Sequence, residues 1–202
     1  MSANARGRPR KYVPDVATGA ILETFWKNGY EGTTLDDLSA ATGMNRPSIY
    51  RAFGNKEQLY GVALRHYRQL FADAVAARFL AERELSLALA NGFDAAIEFF
   101  STGSHGARGC FELATGLDIS ERYLAVRQAL SQGAEWRLSC ARLVLRRAGE
   151  APNLQDRLDF ESRALLLRST LESLAIHARL GGAPDLLQKL AEAGARAICD
   201  QT

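Results

Sequence analysis

Residues 29–59 of this chain are GYEGTTLDDLSAATGMNRPSIYRAFGNKEQL. Within them, Thr34 with Asp37 and Asn55 with Gln58 have the three-residue spacing of a capping box. In such a box each side chain satisfies a backbone N–H of the other residue. Because the unpaired N–H groups of a helix start need such acceptors, each box predicts that a helix begins at the next residue. The segment therefore predicts two helices, beginning near residues 35 and 56.

A third, short helix is predicted between these two. Asn45 is a favourable N-cap, and Pro47 fits a first helical turn, where its missing N–H would be unpaired anyway. Gly43 and Gly54 end two of the helices, since glycine adopts a left-handed cap conformation without strain. The predicted helices are residues 35–42, residues 46–53 and a long helix that begins at about residue 56.

Another helix precedes this group, from about Pro14 to Asn28, and Gly29 ends it. Its apolar face comprises Ile21, Leu22, Phe25 and Trp26. Short helices joined by a tight turn describe a helix-turn-helix. The fourth helix is predicted to carry one apolar face composed of Leu59, Ala63, Tyr67, Leu70, Phe71 and Ala74.

The chemistry of this unit depends on what the helix at 46–53 exposes. Ile49 and Phe53 are four residues apart and are expected to face the core, so Arg46, Ser48, Tyr50 and Arg51 lie on the other faces. An arginine near the start of a recognition helix can donate two hydrogen bonds to guanine. The alternative is that these side chains are only solvated surface groups.

The composition excludes several other classes of protein. Apolar residues make up 47% of the 202, enough for a core, and no apolar run approaches the roughly 20 residues of a membrane span. Three widely spaced cysteines form no disulfide framework, which favours a reducing cytoplasm. The three histidines lack metal-ligand spacing, and no nucleophile elbow, P-loop or dinucleotide fingerprint is present. We therefore expect no enzyme, no catalytic or metal site and no cofactor.

The basic charge is concentrated in an N-terminal arm, residues 1–12. Residues 1–60 hold eight Lys/Arg against six Asp/Glu, whereas the remainder holds 17 of each. Arg8, Arg10 and Lys11 are candidate DNA contacts. The segment Arg6-Gly7-Arg8-Pro9-Arg10 resembles an AT-hook, which enters a narrow A·T minor groove. A solvated tail with general attraction to phosphate is the alternative.

The rest of the chain also predicts helices. Residues 48–151 contain no proline, and period-2 alternation is absent. The expected fold is all-α with about nine helices: a three-helix helix-turn-helix domain at 13–60, then an antiparallel helical domain at 61–202. Later helices are predicted from Leu85 to Phe100, from Cys110 after a glycine-rich connector, and at 120–148, 155–180 and 185–199.

Residues 14–60 resemble the DNA-binding domain of the TetR/AcrR family of transcriptional regulators. The similarity lies in Gly29–Leu35, Asp37-Leu38, Ala40–Gly43 and Arg46–Leu59. It implies base contacts by Arg46, Pro47 and Ser48, and phosphate contacts by Thr34, Tyr50 and Lys56. Ala52 is small where some relatives have a larger polar residue, so a contact at that position is in doubt.

The resemblance also implies a body that binds a small-molecule effector and pairs as a homodimer on palindromic double-stranded operator DNA. The candidate ligand-binding residues are Phe93, Phe100, Cys110, Trp136, Cys140 and His177. The candidate dimer residues are Leu165, Leu171, Leu174, Ala178, Leu187, Leu190, Ala197 and Ile198. For both sets the alternative is packing in the core of the monomer.

The expected function is a ligand-responsive repressor released from its operator by the effector. Cys110 supports one alternative, a sensor of oxidants or electrophiles, because a thiol at a helix N-terminus near Arg108 and His105 can have a lowered pKa. A small packing cysteine is the plainer interpretation. A further alternative is an activator or DNA-coating protein without a ligand.

Overall fold

A computed structural model of the chain describes residues 14–103, 106–148 and 159–199. These residues form nine helices and no β-strand, which confirms the all-α prediction. Along the chain they are α1 (Pro14–Gly32), α2 (Leu35–Thr42), α3 (Arg46–Phe53), α4 (Lys56–Phe71, continued by Ala72–Ala76 and Ala77–Ala81), α5 (Leu85–Ser101), α6 (Phe111–Gly116), α7 (Leu124–Arg147), α8 (Phe160–Arg179) and α9 (Pro184–Cys199). The predicted arm at 1–12 and the predicted turn after α7 lie outside the described residues.

The helix starts in the first unit follow the predicted caps. The Thr34 side chain accepts from the Asp37 N–H at 3.1 Å, and Asp37 accepts in return from the Thr34 N–H at 2.8 Å. The Asn45 and Asn55 side chains each accept from an N–H three residues on, at 2.9 Å. Gly43 ends α2 with φ 66°, a left-handed conformation that strains any residue with a Cβ. These local bonds fix the bounds of α2 and α3 where the sequence predicts them.

The end of α1 differs from its predicted position. The helix was expected to stop at Asn28, but it kinks at Gly29 (φ 70°, ψ 175°) and makes one more turn to Gly32. The extra turn buries Tyr30. Its ring packs edge-on against Tyr60, with ring centroids 5.2 Å apart. Glycine therefore bends the chain here without ending the helix, because aromatic packing holds the next turn in place.

Helix α4 contains a π-helical segment at Ala72–Ala76, flanked by residues with ordinary right-handed helical angles. Beyond Leu64 its buried residues recur every four positions, at Tyr67, Phe71, Val75 and Phe79. A π turn accommodates an additional residue, so positions four apart keep facing the core. The prediction that Leu70 and Ala74 share the apolar face was wrong: both are exposed.

The chain divides into two compact units between His66 and Tyr67, within α4. The predicted boundary at residue 60 also falls inside this helix. In the first unit, α1 packs on α2 and α2 on α3, around the fully buried Ile21, Phe25, Leu38 and Ile49.

In the second unit, α8 is the central helix, packed against α5, α7 and α9. The connector before α6 folds back on α5: the N–H groups of Arg108 and Gly109 both donate to the Phe100 carbonyl, at 3.1 and 3.0 Å. Within the described parts of the chain, no helix combines the length and apolar character needed to cross a membrane.

Candidate nucleic-acid interface

Helix α3 presents a polar, basic face to solvent. Ile49 is fully buried and Phe53 half-buried, so the helix is seated through this side as predicted. Arg46, Pro47 and Arg51 are exposed, and 50% of the Tyr50 surface is accessible. Ser48 is partly exposed. The structure thus brings the predicted base-contacting residues onto the accessible side of one short helix.

Arg46 is held by a carboxylate that the sequence did not indicate. Its Nε donates to Asp36 Oδ1 at 2.8 Å, and Nη2 bonds the other oxygen, giving a two-point pair across the turn. Hydrogen bonding to Asp36 raises the pKa of the guanidinium. Both side chains are more than half exposed, and solvent screening makes such surface pairs weak. Asp36 therefore orients the Arg46 side chain, yet the pair is weak enough for Arg46 to leave Asp36 and bind a base edge instead.

Thr34 and Lys56, the predicted phosphate contacts, flank α3 in sequence. The Thr34 hydroxyl donates to Asp37 Oδ2 at 2.7 Å, and hydrogen bonds from Thr34 lower the pKa of Asp37. Lys56 Nζ donates to the Glu31 carbonyl at 3.3 Å and lies 4.7 Å from the Tyr30 ring centroid. A phosphate at Thr34 would have to replace the bond to Asp37. The Lys56 ammonium is held in place, and its remaining N–H donors can bind a phosphate.

The predicted contacts from the N-terminal arm, Arg8, Arg10 and Lys11, lie outside the described residues. So does His105, which the sequence analysis placed near Cys110.

Comparison with known proteins identifies the family. Residues 18–63 match the model for bacterial regulatory proteins of the tetR family, and residues 88–193 match that for the tetracyclin repressor-like C-terminal domain. The chain belongs to the TetR family. The resemblance of residues 14–60 is confirmed, and this TetR-family chain is a DNA-binding transcriptional regulator, like its relatives, and not an enzyme.

Individual relatives agree with this assignment. The HTH-type transcriptional repressor ComR of Escherichia coli K12 is 31% identical over 194 residues, which is 93% of this chain and 89% of ComR. BdcR, a repressor from the same organism, is 34% identical over 61 residues, 30% of this chain and 31% of BdcR. A cysteine mutant of the TetR-family regulator CifR, complexed with 26-bp operator DNA, superposes with a TM-score of 0.80 at 28% identity, covering 94% of this chain and 99% of that one.

The predicted ligand residues of this regulator fall into two groups. Phe100, Cys110 and Cys140 line two small adjoining cavities in the second unit. Phe93 is almost fully buried and stacks edge-on with Phe79, while Trp136 and His177 are half-buried. These last three line neither cavity. The Phe93 ring packs in the core, which agrees with the alternative that these residues are core residues of the monomer.

Cys110 lies at the N-cap of α6, as predicted, but its environment opposes thiolate formation. Burial, and next the charge of Glu112, raises the pKa of this thiol. This contradicts the alternative of a lowered pKa and agrees with a packing cysteine, because the residues around Cys110 exclude the water that would stabilise a thiolate. Tyr67, which hydrogen-bonds to Cys110, likewise has its pKa raised well above the usual value, chiefly by burial.

The predicted dimer residues need correction. Leu171, Leu174, Ala178, Leu187 and Ile198 are buried in the chain's own core, so they cannot form a surface for a partner. Leu190 and Ala197 are half-buried, and only Leu165 is exposed. The large apolar side chains that α8, α9 and their connection do expose are Leu165, Ile176, Leu180 and Leu186.

The sequence did not indicate a buried ionic cluster in the second unit. Glu112 is fully buried and bonds both Arg68, whose Nε lies 2.6 Å from Oε1, and Arg137. Arg137 and Arg168 in turn approach Glu172, at 3.9 and 3.5 Å. The only local signal for this cluster was the four-residue spacing of Arg168 and Glu172.

Proposed function

We propose that this chain represses transcription as a homodimer on a palindromic operator and is released by a small-molecule effector. The exposed basic face of α3, seated by Ile49 and following a tight turn at Gly43, carries the proposal. A single short helix contacts few base pairs, which is why such heads commonly read palindromes in pairs. The operator DNA in the CifR complex supports this mode of binding for the present chain.

In this proposal Arg46, Pro47 and Ser48 approach base edges, and Arg46 exchanges Asp36 for a guanine. Tyr50, Arg51, Lys56 and Thr34 contact phosphates and fix the register of α3 on the duplex. The arm residues Arg8, Arg10 and Lys11 add attraction to flanking DNA. We assign DNA binding to residues 13–66, and effector binding and pairing to the part that begins at Tyr67.

The proposed pairing surface comprises Leu165, Ile176, Leu180 and Leu186, which replace the buried residues predicted from the sequence. Leu165 and Ile176 are eleven residues apart on α8, about three turns, and so share a face. Placing a charge there, as in Ile176→Glu, is expected to shift sedimentation from dimer to monomer. Leu143→Glu, at a similarly exposed leucine on α7, is the control and is expected to leave the dimer intact.

Helix α4 supports coupling between effector and DNA. It runs without interruption from the residue after Asn55 to Ala81, and its π segment contributes Ala76 to the wall of one of the two cavities. Pockets next to π turns are often functional sites. An effector would release DNA only through a higher affinity for a different arrangement of α4.

Footprinting of the chain on its own upstream DNA tests the proposal against the DNA-coating alternative. A specific regulator protects a bounded stretch with two half-sites about one or two helical turns apart, near 34–36 Å for one turn. Protection that spreads without limit along every fragment would establish a coating protein instead.

A further inference from the structure

The buried ionic cluster of the second unit carries more positive than negative charge. Its described ion pairs join three guanidinium groups, those of Arg68, Arg137 and Arg168, to two carboxylates, those of Glu112 and Glu172. The side chains are exposed by 28% or less, and Glu112 not at all. A buried charge without a counter-charge is costly, so an additional negative charge at this cluster would be stabilised.

Arg137 has a donor available for that charge. Its side chain is 10% exposed, and its buried Nε has no hydrogen-bond partner. Arg168 Nε is also buried and makes no hydrogen bond, although it lies 3.5 Å from Glu172 Oε1 as an ion pair. Burial, the largest single effect, works to lower the pKa of Arg137, but its charge interactions and hydrogen bond with Glu112 and its other neighbours together outweigh burial, and the pKa is raised. Arg137 is therefore a permanent cation with an unused donor.

The same arginine lines both of the cavities described above. One, of about 20 Å³, is otherwise lined mostly by apolar side chains, among them Phe71, Phe79, Leu167 and Leu171. The other, of about 10 Å³, lies between Arg137 and Phe100, Cys110 and Glu172. Each has room for about one water molecule. Together they join an apolar wall to an unpaired guanidinium donor.

Gly133 on α7 lies directly against Glu112 and Arg68 of the cluster. A Cβ at this position would lie 2.5 Å from Glu112 Oε1 and 2.6 Å from Arg68 Nη2. The missing side chain leaves room for the carboxylate between its two arginines. Any side chain larger than hydrogen at this position would displace Glu112 or Arg68.

We infer that the effector of this regulator is a monoanion with an apolar body, a carboxylate of hydrophobic character, whose charged end is bound by Arg137. The inference rests on the proposed function, in which this unit binds the effector. The apolar body would widen the cavity lined by Phe71 and Phe79, next to the π turn of α4. The carboxylate would supply the missing negative charge and accept from Nε.

The test is calorimetric titration of the full chain at pH 7.5 with matched probes. Octanoate is compared with 1-octanol and octylammonium, and 2-naphthoate with 2-naphthalenemethanol. Because charge-assisted hydrogen bonds are about twice as strong as neutral ones, each carboxylate is expected to bind at least about 10-fold more tightly than its alcohol. Equal affinity of carboxylate and alcohol, or no binding by either carboxylate, overturns the inference.

Two variants locate the charged end. Arg137→Lys keeps a cation for Glu112 but removes the Nε donor, and it is expected to lose most of the preference for carboxylate. Arg142→Gln, on the same helix but in a partly exposed pair with Glu161, is the control and is expected to keep it. If the preference for carboxylate survives in Arg137→Lys, the assignment of the charged end to Arg137 is overturned. The comparison of probes on the unmodified protein does not depend on the folding of any variant.

Operator binding without any probe is measured on the same preparation. A chain that binds its operator but not the carboxylates contradicts this inference alone. A chain that binds no operator contradicts the proposed function, while the probe series still decides the chemistry of the pocket.

Discussion

Replacement of the buried Glu112 by glutamine is expected to destabilise the second unit strongly. Glu112 is 0% exposed and bonds Arg68 and Arg137 through separate oxygens. Glutamine keeps the shape but removes the charge, so two guanidinium groups lose their shared counter-charge in a site shielded from water. Breaking a buried ion pair in this way costs about 3–5 kcal/mol.

That free energy translates into a measurable change in Tm. For chains of roughly 150–250 residues, 1 kcal/mol corresponds to about 2–4 °C, so Glu112→Gln is expected to lower Tm by at least about 6 °C. Differential scanning calorimetry at pH 7 measures it, with protein concentration held constant because dimerisation shifts Tm.

Glu161→Gln is the matched control. Glu161 also pairs with an arginine, at 2.8 Å from Arg142, but it is 54% exposed. Solvent screening makes such a surface pair weak, so Glu161→Gln should lower Tm much less than Glu112→Gln does. If Glu112→Gln lowers Tm no further than Glu161→Gln does, the cluster does not stabilise the unit and the charge argument fails.

Three more outcomes follow from the first unit and from Cys110. Asp36→Asn should strengthen binding to unrelated DNA, because Arg46 loses its carboxylate partner, and a salt series should show a slope steeper by up to about one charge; an unchanged slope would mean that Asp36 does not restrain Arg46. Gly43→Ala should cost roughly 1 kcal/mol in urea unfolding, since alanine is strained at φ 66°, and an unaffected midpoint would contradict the strain. Because burial raises the pKa of Cys110, iodoacetamide at pH 7.5 should alkylate it more slowly than the half-buried Cys199, as followed by mass spectrometry. Faster modification of Cys110 would restore the thiolate-sensor hypothesis.

The sequence predicted the first unit well because its signals are local. Caps such as Thr34 with Asp37, and Pro47 in a first turn, act within one helical turn, so spacing alone places α2 and α3. The exposed face of α3 followed from two apolar positions. The pair of Arg46 with Asp36 was missed because its members lie ten residues apart and meet only when the turn at Gly43 brings α2 and α3 together.

The second unit was less predictable because its helices carry apolar residues on more than one face. On α8, spacing could not distinguish Leu171 and Leu174, which are buried, from Leu165 and Ile176, which are exposed. Leu70 and Ala74 lie outside the core, and nothing in the sequence marks the π turn of α4 that contains Ala74. The ionic cluster joins residues up to 104 positions apart, from Arg68 to Glu172, so only the tertiary fold brings them together.

The most direct test of sequence-specific DNA binding by α3 is fluorescence anisotropy with the chain's own upstream DNA, across a salt series. Arg46→Ala is compared with Arg78→Ala, which removes an exposed arginine outside the first unit. We predict tight binding to one palindromic fragment, lost in Arg46→Ala down to the level of unrelated DNA and kept in Arg78→Ala. Equal binding of Arg46→Ala and the unmodified chain to that fragment would contradict readout by α3.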